Sequence, residues 1–386
     1  MSRLKHFLTR ARALPLHDPS TGSSMHLVMG NEASDADSIV SAMLHSYFLH
    51  CTHNTNATAC EFIPIVCSPR KDMPLKRDTE VLLSTVGLGL SDVLCIDELV
   101  KAYTSACFDV TLTDHNEISK SVEDAYQVKF NVQGILDHHQ DEGGYLSLPS
   151  ELREVAFDNE QQRPLVGSTC TLVAERFLRS ASEFLDSDLC TLLLGVIAVD
   201  TRNLDPEADR GTQRDAAVLD ALQRLVPGVD RSALFERVSS AKSERSFWMS
   251  MSAANAMRVD YKVFTSDDSR QNFGIATVNL EMRDVLEKDD LVPAVKEHLN
   301  DHGLAFIAVM GVTFDPLQRE LLICAAPSVA STVEAFLASS SVSDDLRLEL
   351  EVRKEVSGIT LLAFKQLNIK LSRKQVAPIL QKMQLL

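Results

Sequence analysis

A run of apolar residues, Val132 to Leu136 with Gly134 inside it, stops abruptly at Asp137-His138-His139 and gives way to Gln140, Asp141, Glu142, Gly143 and Gly144. A short apolar run followed by turn formers predicts a buried strand opening into a loop. In open parallel sheets, ligands sit at the carboxyl ends of the strands. A strand that runs out into one carboxylate and two imidazoles therefore delivers metal-type ligands to the place where a site belongs. The ordinary alternative is a surface turn that happens to be polar, and the rest of the chain decides between the two.

The same arrangement recurs. His26 to Met29 reads as a short strand ending in Gly30-Asn31-Glu32-Ala33-Ser34-Asp35-Ala36-Asp37-Ser38, after which Ile39, Val40, Ala42, Met43 and Tyr47 follow helical spacing. One of Asp35 and Asp37 would suffice to cap that helix. Two carboxylates with Asn31 at a strand end point to hard-cation ligands. Asp109 to Thr113 alternates as a strand and ends in Asp114-His115-Asn116-Glu117. A single acid there is an ordinary turn residue; a third acid-bearing strand end in one sheet is harder to dismiss. Gly167-Ser168-Thr169-Cys170 opens a helix, with Ser and Thr as caps and free N–H groups able to hold phosphate. Leu189 to Val199, apolar and readable as helix or strand, ends in Asp200-Thr201, a fourth acid at the end of a buried element.

A chain of 386 residues has two domains as its prior. Strands at 61–66, 92–96 and 154–157 and helices at 75–86 and 216–225 complete an α/β first domain, residues 1–230, with a parallel sheet and helices on both faces. Pro227-Gly228 breaks the pattern, and residues 231–257 read as a long helical spine joining the domains, with Lys242 on it. Strands at 274–280, 304–313, 320–325 and 358–364 and helices at 291–299 and 328–338 make residues 231–386 a smaller α+β unit. It closes with a helix opening at Ser372-Arg373-Lys374-Gln375.

The net charge of −16 argues against nucleic-acid binding through a basic face. It leaves an anionic substrate open, because metal ions and a local basic cluster reverse the potential inside a cleft. The eight cysteines form no CxxC, and Cys67 and Cys324 sit in apolar runs, so they read as buried reduced thiols suited to a reducing compartment. No run reaches the roughly 18 apolar residues of a membrane helix. Arg3, Lys5, Arg10 and Arg12 precede no apolar core and fit an amphipathic helix better than a signal peptide. A cytosolic protein without a membrane partner is expected, monomeric or weakly oligomeric.

The ordered set Asn31-x-x-x-Asp35-x-Asp37-Ser38, Asp114, Asp137-His138-His139 and Asp200-Thr201 resembles the DHH phosphoesterase superfamily. The C-terminal Ser372-Arg373-Lys374-Gln375 resembles its DHHA2 branch, which holds family II inorganic pyrophosphatases and cytosolic exopolyphosphatases of the yeast type. Asn31 in place of the pyrophosphatases' His, the extra length, Phe364-Lys365-Gln366-Leu367-Asn368 and Asp260-Tyr261-Lys262 all look like the exopolyphosphatase. Retention of His139 separates the chain from prune-type relatives that have lost it.

The resemblance implies an active site in the cleft between the domains. Asp35, Asp37, Asp114, His138 and Asp200 look like ligands of two or more divalent ions, with Asp114 bridging. Asn31 would favour Mg²⁺ over Mn²⁺ or Co²⁺, and would itself hold a water or a phosphate oxygen. His139, Lys242, Arg373 and Lys374 resemble phosphate contacts, and two cations at the start of the last helix oppose its dipole unless a polyanion binds there. Arg70, Lys71, Lys76 and Arg77 are candidates for holding the rest of a polymer. The implied reaction is metal-dependent hydrolysis of the terminal phosphate of linear inorganic polyphosphate. A pyrophosphatase, a non-catalytic prune-like binding protein and a nuclease for short oligonucleotides are the rivals.

Overall fold

The computed structural model describes residues 2–13, 24–53, 60–103, 107–267, 271–314, 316–339, 342 and 345–384. The loop expected around Pro15, Pro19 and Gly22 lies outside these residues. The chain divides into two units, Met1–Lys242 and Ser243–Leu386.

The first unit carries six strands: β1 (Ser24–Met29), β2 (Cys60–Val66), β3 (Leu94–Cys95), β4 (Cys107–Thr113), β5 (Lys129–Asp137) and β6 (Arg153–Val155). They pair in parallel throughout, in the order β3-β2-β1-β4-β5-β6. The order reverses between β1 and β4. A doubly wound sheet opens its ligand crevice at the carboxyl side of such a switch point.

Successive strand residues face opposite sides of the sheet, and both sides are covered. Leu27, Met29, Ile63, Ile65 and Ile135 pack with Ile96 and Leu99 of α4 (Ile96–Ala102) and Val122 of α5 (Lys120–Tyr126). Val66 and Leu136 face the other core. There they meet α1 (Arg3–Ala13), α2 (Ala36–His53), α3 (Arg77–Ser84), α6 (Thr169–Ser180), α7 (Ser187–Asp200), α8 (Gln213–Leu225) and α9 (Arg231–Ser240). Leu189 to Ala198 are buried on every side, and the segment is a helix rather than a strand. A helix apolar all round belongs inside a core. A small hairpin, β7 (Phe157–Asp158) and β8 (Arg163–Pro164), follows β6.

Three expectations change. The strand at 92–96 shrinks to Leu94–Cys95, because the Glu98 carboxylate accepts the Cys95 N–H at 2.9 Å and starts α4 there. The spine over 231–257 is three helices, α9, α10 (Arg245–Ser250) and α11 (Ala253–Val259). Asp230 and Ser252 cap separate starts, accepting the N–H of Ala233 at 3.0 Å and of Asn255 at 3.1 Å. The boundary falls after Lys242, not at 230, because α9 buries Leu234 and Val238 in the first unit's core.

The second unit holds β9 (Tyr261–Thr265), β10 (Asn272–Val278), β11 (Leu304–Phe314), β12 (Leu317–Ala325), β13 (Leu348–Val356) and β14 (Ile359–Gln366), in the order β13-β14-β12-β11-β10-β9. Only β10 and β11 pair in parallel among these described strands. The unit is α+β, as expected. The edge strands β9 and β13 escape sequence reading, being mostly exposed and, in β13, largely charged. The stacked rings of Phe273 and Phe306, 4.9 Å apart, sit in its core. All eight cysteines are free, Cys67 and Cys324 buried as expected and Cys107 exposed. No described helix is long and apolar enough to cross a membrane.

His45 lies fully buried in α2, its ring stacked on Phe48 and its Nδ1 without a hydrogen-bond partner. Burial, and then the Arg176 guanidinium, hold its pKa well below the ordinary value. The unfolded chain binds a proton there near pH 6.5, where the folded chain does not, so folding weakens as pH falls below that value. Urea midpoints at pH 7.5 and 5.5 should therefore differ less in His45→Phe than in the parent; an unchanged difference refutes this account.

Candidate metal centre

Asp35, Asp37, Asp114, His138, His139 and Asp200 line one cavity of about 290 Å³. It lies where the carboxyl ends of β1, β4 and β5 converge with the starts of α2 and α6 and the end of α7. All five expected ligands are thus brought together, with His139 beside them.

β1 gives way to Gly30, where an added Cβ would lie 2.5 Å from the Ser38 carbonyl oxygen, so the turn into α2 can be this tight only with glycine. Asp35 caps α2, accepting the Ser38 N–H at 3.0 Å, and still lines the cavity. Asp37 is held by the start of α6. Its Oδ1 accepts the Ser168 hydroxyl at 2.8 Å and the Cys170 N–H at 2.9 Å, and its Oδ2 accepts the Thr169 N–H at 2.7 Å. The N–H groups expected to be free for phosphate are therefore spent on Asp37.

Asp114 follows β4 with φ +65°, a left-handed conformation that Asp tolerates better than most residues. It aims a 2 % exposed carboxylate at the centre of the group. Its Oδ1 lies 3.2 Å from Thr169 Oγ1, 3.4 Å from His138 Nε2 and 3.7 Å from His139 Nδ1. Asn31 holds the other oxygen: its Nδ2 donates to Asp114 Oδ2 at 2.8 Å, and its Oδ1 accepts the Ser34 N–H at 3.1 Å. Asn31, expected to hold a water or a phosphate oxygen, here uses both ends of its amide to position Asp114.

The two imidazoles have different settings. His138 Nδ1 lies 3.0 Å from the Val166 carbonyl and donates to it, which leaves Nε2 facing Asp114 and, at 3.8 Å, Asp37. That is how a carbonyl partner orients a metal-binding histidine. His139 is half exposed, and its Nδ1 lies 2.9 Å from Asp137 Oδ1. Asp137 is fully buried; it accepts the backbone N–H groups of His138 and His139 at 2.8 and 3.2 Å and the Asn116 amide at 2.6 Å. Burial pushes the Asp137 carboxyl up, but the bonds and charge from His139 and Asn116 outweigh it and hold the pKa below the usual range. The hydrogen bond to Asp137 in turn raises that of His139.

Burial raises the carboxyl pKa of Asp35, and raises those of Asp114 and Asp200 strongly, with the neighbouring acids adding to each. Asp200 Oδ2 is buried with no hydrogen-bond partner. Carboxylates this close repel, and the protein supplies too little positive charge to offset them. Oxygen donors, an oriented imidazole and an orphaned carboxylate oxygen fit a divalent cation. Asp114, His138 and His139 each place one donor atom within 4.8 Å of the others.

The expected basic residues are placed differently. Lys242 sits in the turn after α9, 2.6 Å from Asp78, and its charge acts on Asp35. In the second unit, Arg373 donates to Asp260 Oδ1 at 2.6 Å and to the Asp260 carbonyl at 2.9 Å. Asp260 thus meets the cation that a polyanion was expected to satisfy, and Asp260-Tyr261-Lys262 gains a structural role. Lys374 is exposed in the same first turn. Arg70 is tied to the Leu90 carbonyl and Glu98, each at 2.6 Å, and Arg77 to Glu80 at 2.9 Å. Asn116, which donates to Asp137, and Arg210, which lines the cavity, were missed; nothing in a polar loop marks which residue will make such a contact.

A doubly wound sheet with an acid-and-imidazole cluster at its switch point defines an α/β protein with a candidate metal centre, and family models name it more closely. The DHH family, N-terminal domain, matches residues 26–197, and the DHHA2 domain matches residues 240–383. The chain thus carries a DHH-family N-terminal domain followed by a DHHA2 domain. It is 28 % identical to exopolyphosphatase PRUNE1 of Rattus norvegicus over 92 % of this chain and 75 % of that protein. It is 27 % identical to the Homo sapiens protein of the same name over the same shares. It is 25 % identical to the manganese-dependent inorganic pyrophosphatase of Methanocaldococcus jannaschii, over 74 % of this chain and 82 % of that one.

Asp137→Asn keeps one acceptor oxygen for His138 and His139 but removes the negative charge beside the His139 ring and sets an NH2 group against the Asn116 amide donor. His139 should then titrate lower, read from its imidazole NMR resonances in metal-free protein, and stability should fall by about 1–3 kcal/mol. An unshifted His139 would show that Asp137 does not set its charge.

Proposed function

We propose that this protein is an exopolyphosphatase, releasing the terminal phosphate of linear inorganic polyphosphate with the help of divalent cations. The observation that carries this reading is the convergence of Asp35, Asp37, Asp114 and Asp200 with His138 and His139 in one cavity at the switch point. Relatives named exopolyphosphatase along nearly the whole chain support the substrate class. Asp35, Asp37, Asp114, His138 and Asp200 are the residues proposed to hold two or more ions. An oxygen-rich set without an imidazole at position 31 favours Mg²⁺ over Mn²⁺ or Co²⁺.

When bound, such ions supply Lewis acidity and a water of lowered pKa for attack on phosphorus. The chain's own residues do the rest. Asn31 and Thr169 fix the Asp114 carboxylate, the start of α6 orients that of Asp37, and the Val166 carbonyl sets the His138 tautomer. His139 is half exposed, its Nδ1 lies against Asp137, and that hydrogen bond raises its pKa, so its other ring nitrogen is placed to donate an N–H to a phosphate oxygen. Lys242, Arg373 and Lys374 are the proposed further phosphate contacts, stabilising charge on the leaving chain. For Arg373, the bonds to Asp260 leave other guanidinium N–H groups able to donate. The cytoplasm is the proposed compartment, and the free thiols suit its reducing conditions.

The pyrophosphatase reading is favoured by the Methanocaldococcus jannaschii relative. Turnover on pyrophosphate against long polyphosphate separates the two. With Mg²⁺ the protein should release phosphate from linear polyphosphate, and EDTA should abolish release. Asp114→Asn and His138→Ala should each lower kcat about a hundredfold or more while the far-UV circular dichroism is retained. No phosphate from any chain length with either Mg²⁺ or Mn²⁺ refutes the proposal.

A further inference from the structure

The acid-lined cavity continues beyond the metal-type ligands. Past Pro164, Asp209 and Arg210 it opens into a groove of about 570 Å³ along β8 and the start of α8, whose lining also includes Arg163 and Arg214. Three arginines against Asp209 run counter to a chain of net charge −16. Arg214 is engaged with Glu175 at 2.9 Å and lies 3.6 Å from Glu154. Arg163 and Arg210 are exposed, and no ion pair engages either guanidinium among the described residues.

The loop carrying Arg210 is built against the metal-type centre. A Cβ on Gly167 would lie 2.6 Å from the Arg210 carbonyl oxygen, so the two backbones touch, which only glycine permits. The buried Asp215 carboxylate accepts the N–H groups of Gly167 and Thr212 at 2.8 Å each, and the Thr171 hydroxyl at 2.6 Å. One carboxylate thus ties the Arg210 loop to the start of α6, which holds Asp37. In the cavity itself, Arg210 is the one Lys or Arg side chain among the described lining residues.

We infer that this groove carries the outgoing length of a polyanionic chain whose terminal phosphate lies among the acids, with Arg210 contacting the phosphates beside the reacting one and Arg163 those farther out. The inference rests on the exopolyphosphatase reading and deepens it: a substrate of two phosphates has no use for a groove beyond the cavity. Guanidinium N–H groups in fork geometry suit phosphate oxygens, and exposed ones release the polymer as readily as they take it up.

The test compares Arg163→Gln and Arg210→Gln with the parent on long-chain polyphosphate and on tripolyphosphate. In Arg163→Gln the ratio of the long-chain KM to the tripolyphosphate KM should rise about tenfold, the size of one charge-assisted contact. In Arg210→Gln both KM values should rise. Lys129→Gln, at the opposite end of β5, should move neither. An unchanged ratio in Arg163→Gln overturns the inference. If the parent releases no phosphate from any chain, the exopolyphosphatase reading fails, and equilibrium titration with long-chain polyphosphate decides the groove separately: about tenfold weaker binding by Arg163→Gln supports it, and equal binding overturns it.

Discussion

Repulsion among Asp35, Asp37, Asp114 and Asp200 is the constraint around which the first unit is organised. Two unit charges about 4 Å apart at an effective dielectric constant of about 20 repel by roughly 4 kcal/mol. A cavity that gathers four carboxylates therefore needs compensation from every side. Part of it comes from backbone: the N–H groups of Thr169 and Cys170 at the start of α6 hold Asp37, and the Ser38 N–H in α2 holds Asp35. Part comes from neutral side chains, Asn31 on Asp114 and Ser168 on Asp37. Burial, and then the neighbouring acids, raise the carboxyl pKa values of Asp114 and Asp200 despite these contacts. The proposed divalent cation would supply the remaining compensation.

The fold makes that concentration of charge possible. A parallel sheet reversing its order between β1 and β4 parts the connections that leave those two strands, and the gap admits Asp35 and Asp37 from one side and Asp114 from the other. Helices buried on most sides, α2 and α7, carry acids at their ends only because their apolar lengths are locked into one core. Buried hydrogen bonds then give each ligand one orientation. Asp137 exemplifies this: wholly buried, it never faces the cavity's centre, yet it accepts from the backbone of both histidines and from the His139 ring.

Much of this was legible beforehand. Each acid lies at or soon after the end of a short apolar run, so periodicity and abrupt polarity change marked Asp35, Asp37, Asp114, the Asp137-His138-His139 triplet and Asp200, while the separate roles of His138 and His139 came from the family resemblance. The α/β then α+β division was legible for the same reason. What escaped was whatever depends on a partner far along the chain. Asp114 and Asn31 meet across 83 residues, and Asp37 and Thr169 across 132. Arg210 sits in an unremarkable polar loop, and Asp215 looks like an ordinary acid in the first turn of α8. The supposed spine failed because helical periodicity continues across a capped restart, whereas backbone hydrogen bonding does not.

By itself the sequence determined the chemistry available: hard oxygen donors and two imidazoles, each released at the end of an apolar element, in an order shared with the DHH family. Periodicity and side-chain type are local properties, and local properties are written in order along the chain. Only tertiary structure decided which atoms those groups would present and to what. It turned Asn31 from an open donor into a holder of Asp114, spent the start of α6 on Asp37, engaged Arg373 with Asp260, and left Arg163 and Arg210 lining the groove. Those outcomes follow from burial and from contacts between distant segments, which exist only once the sheet has brought the ends of its strands together.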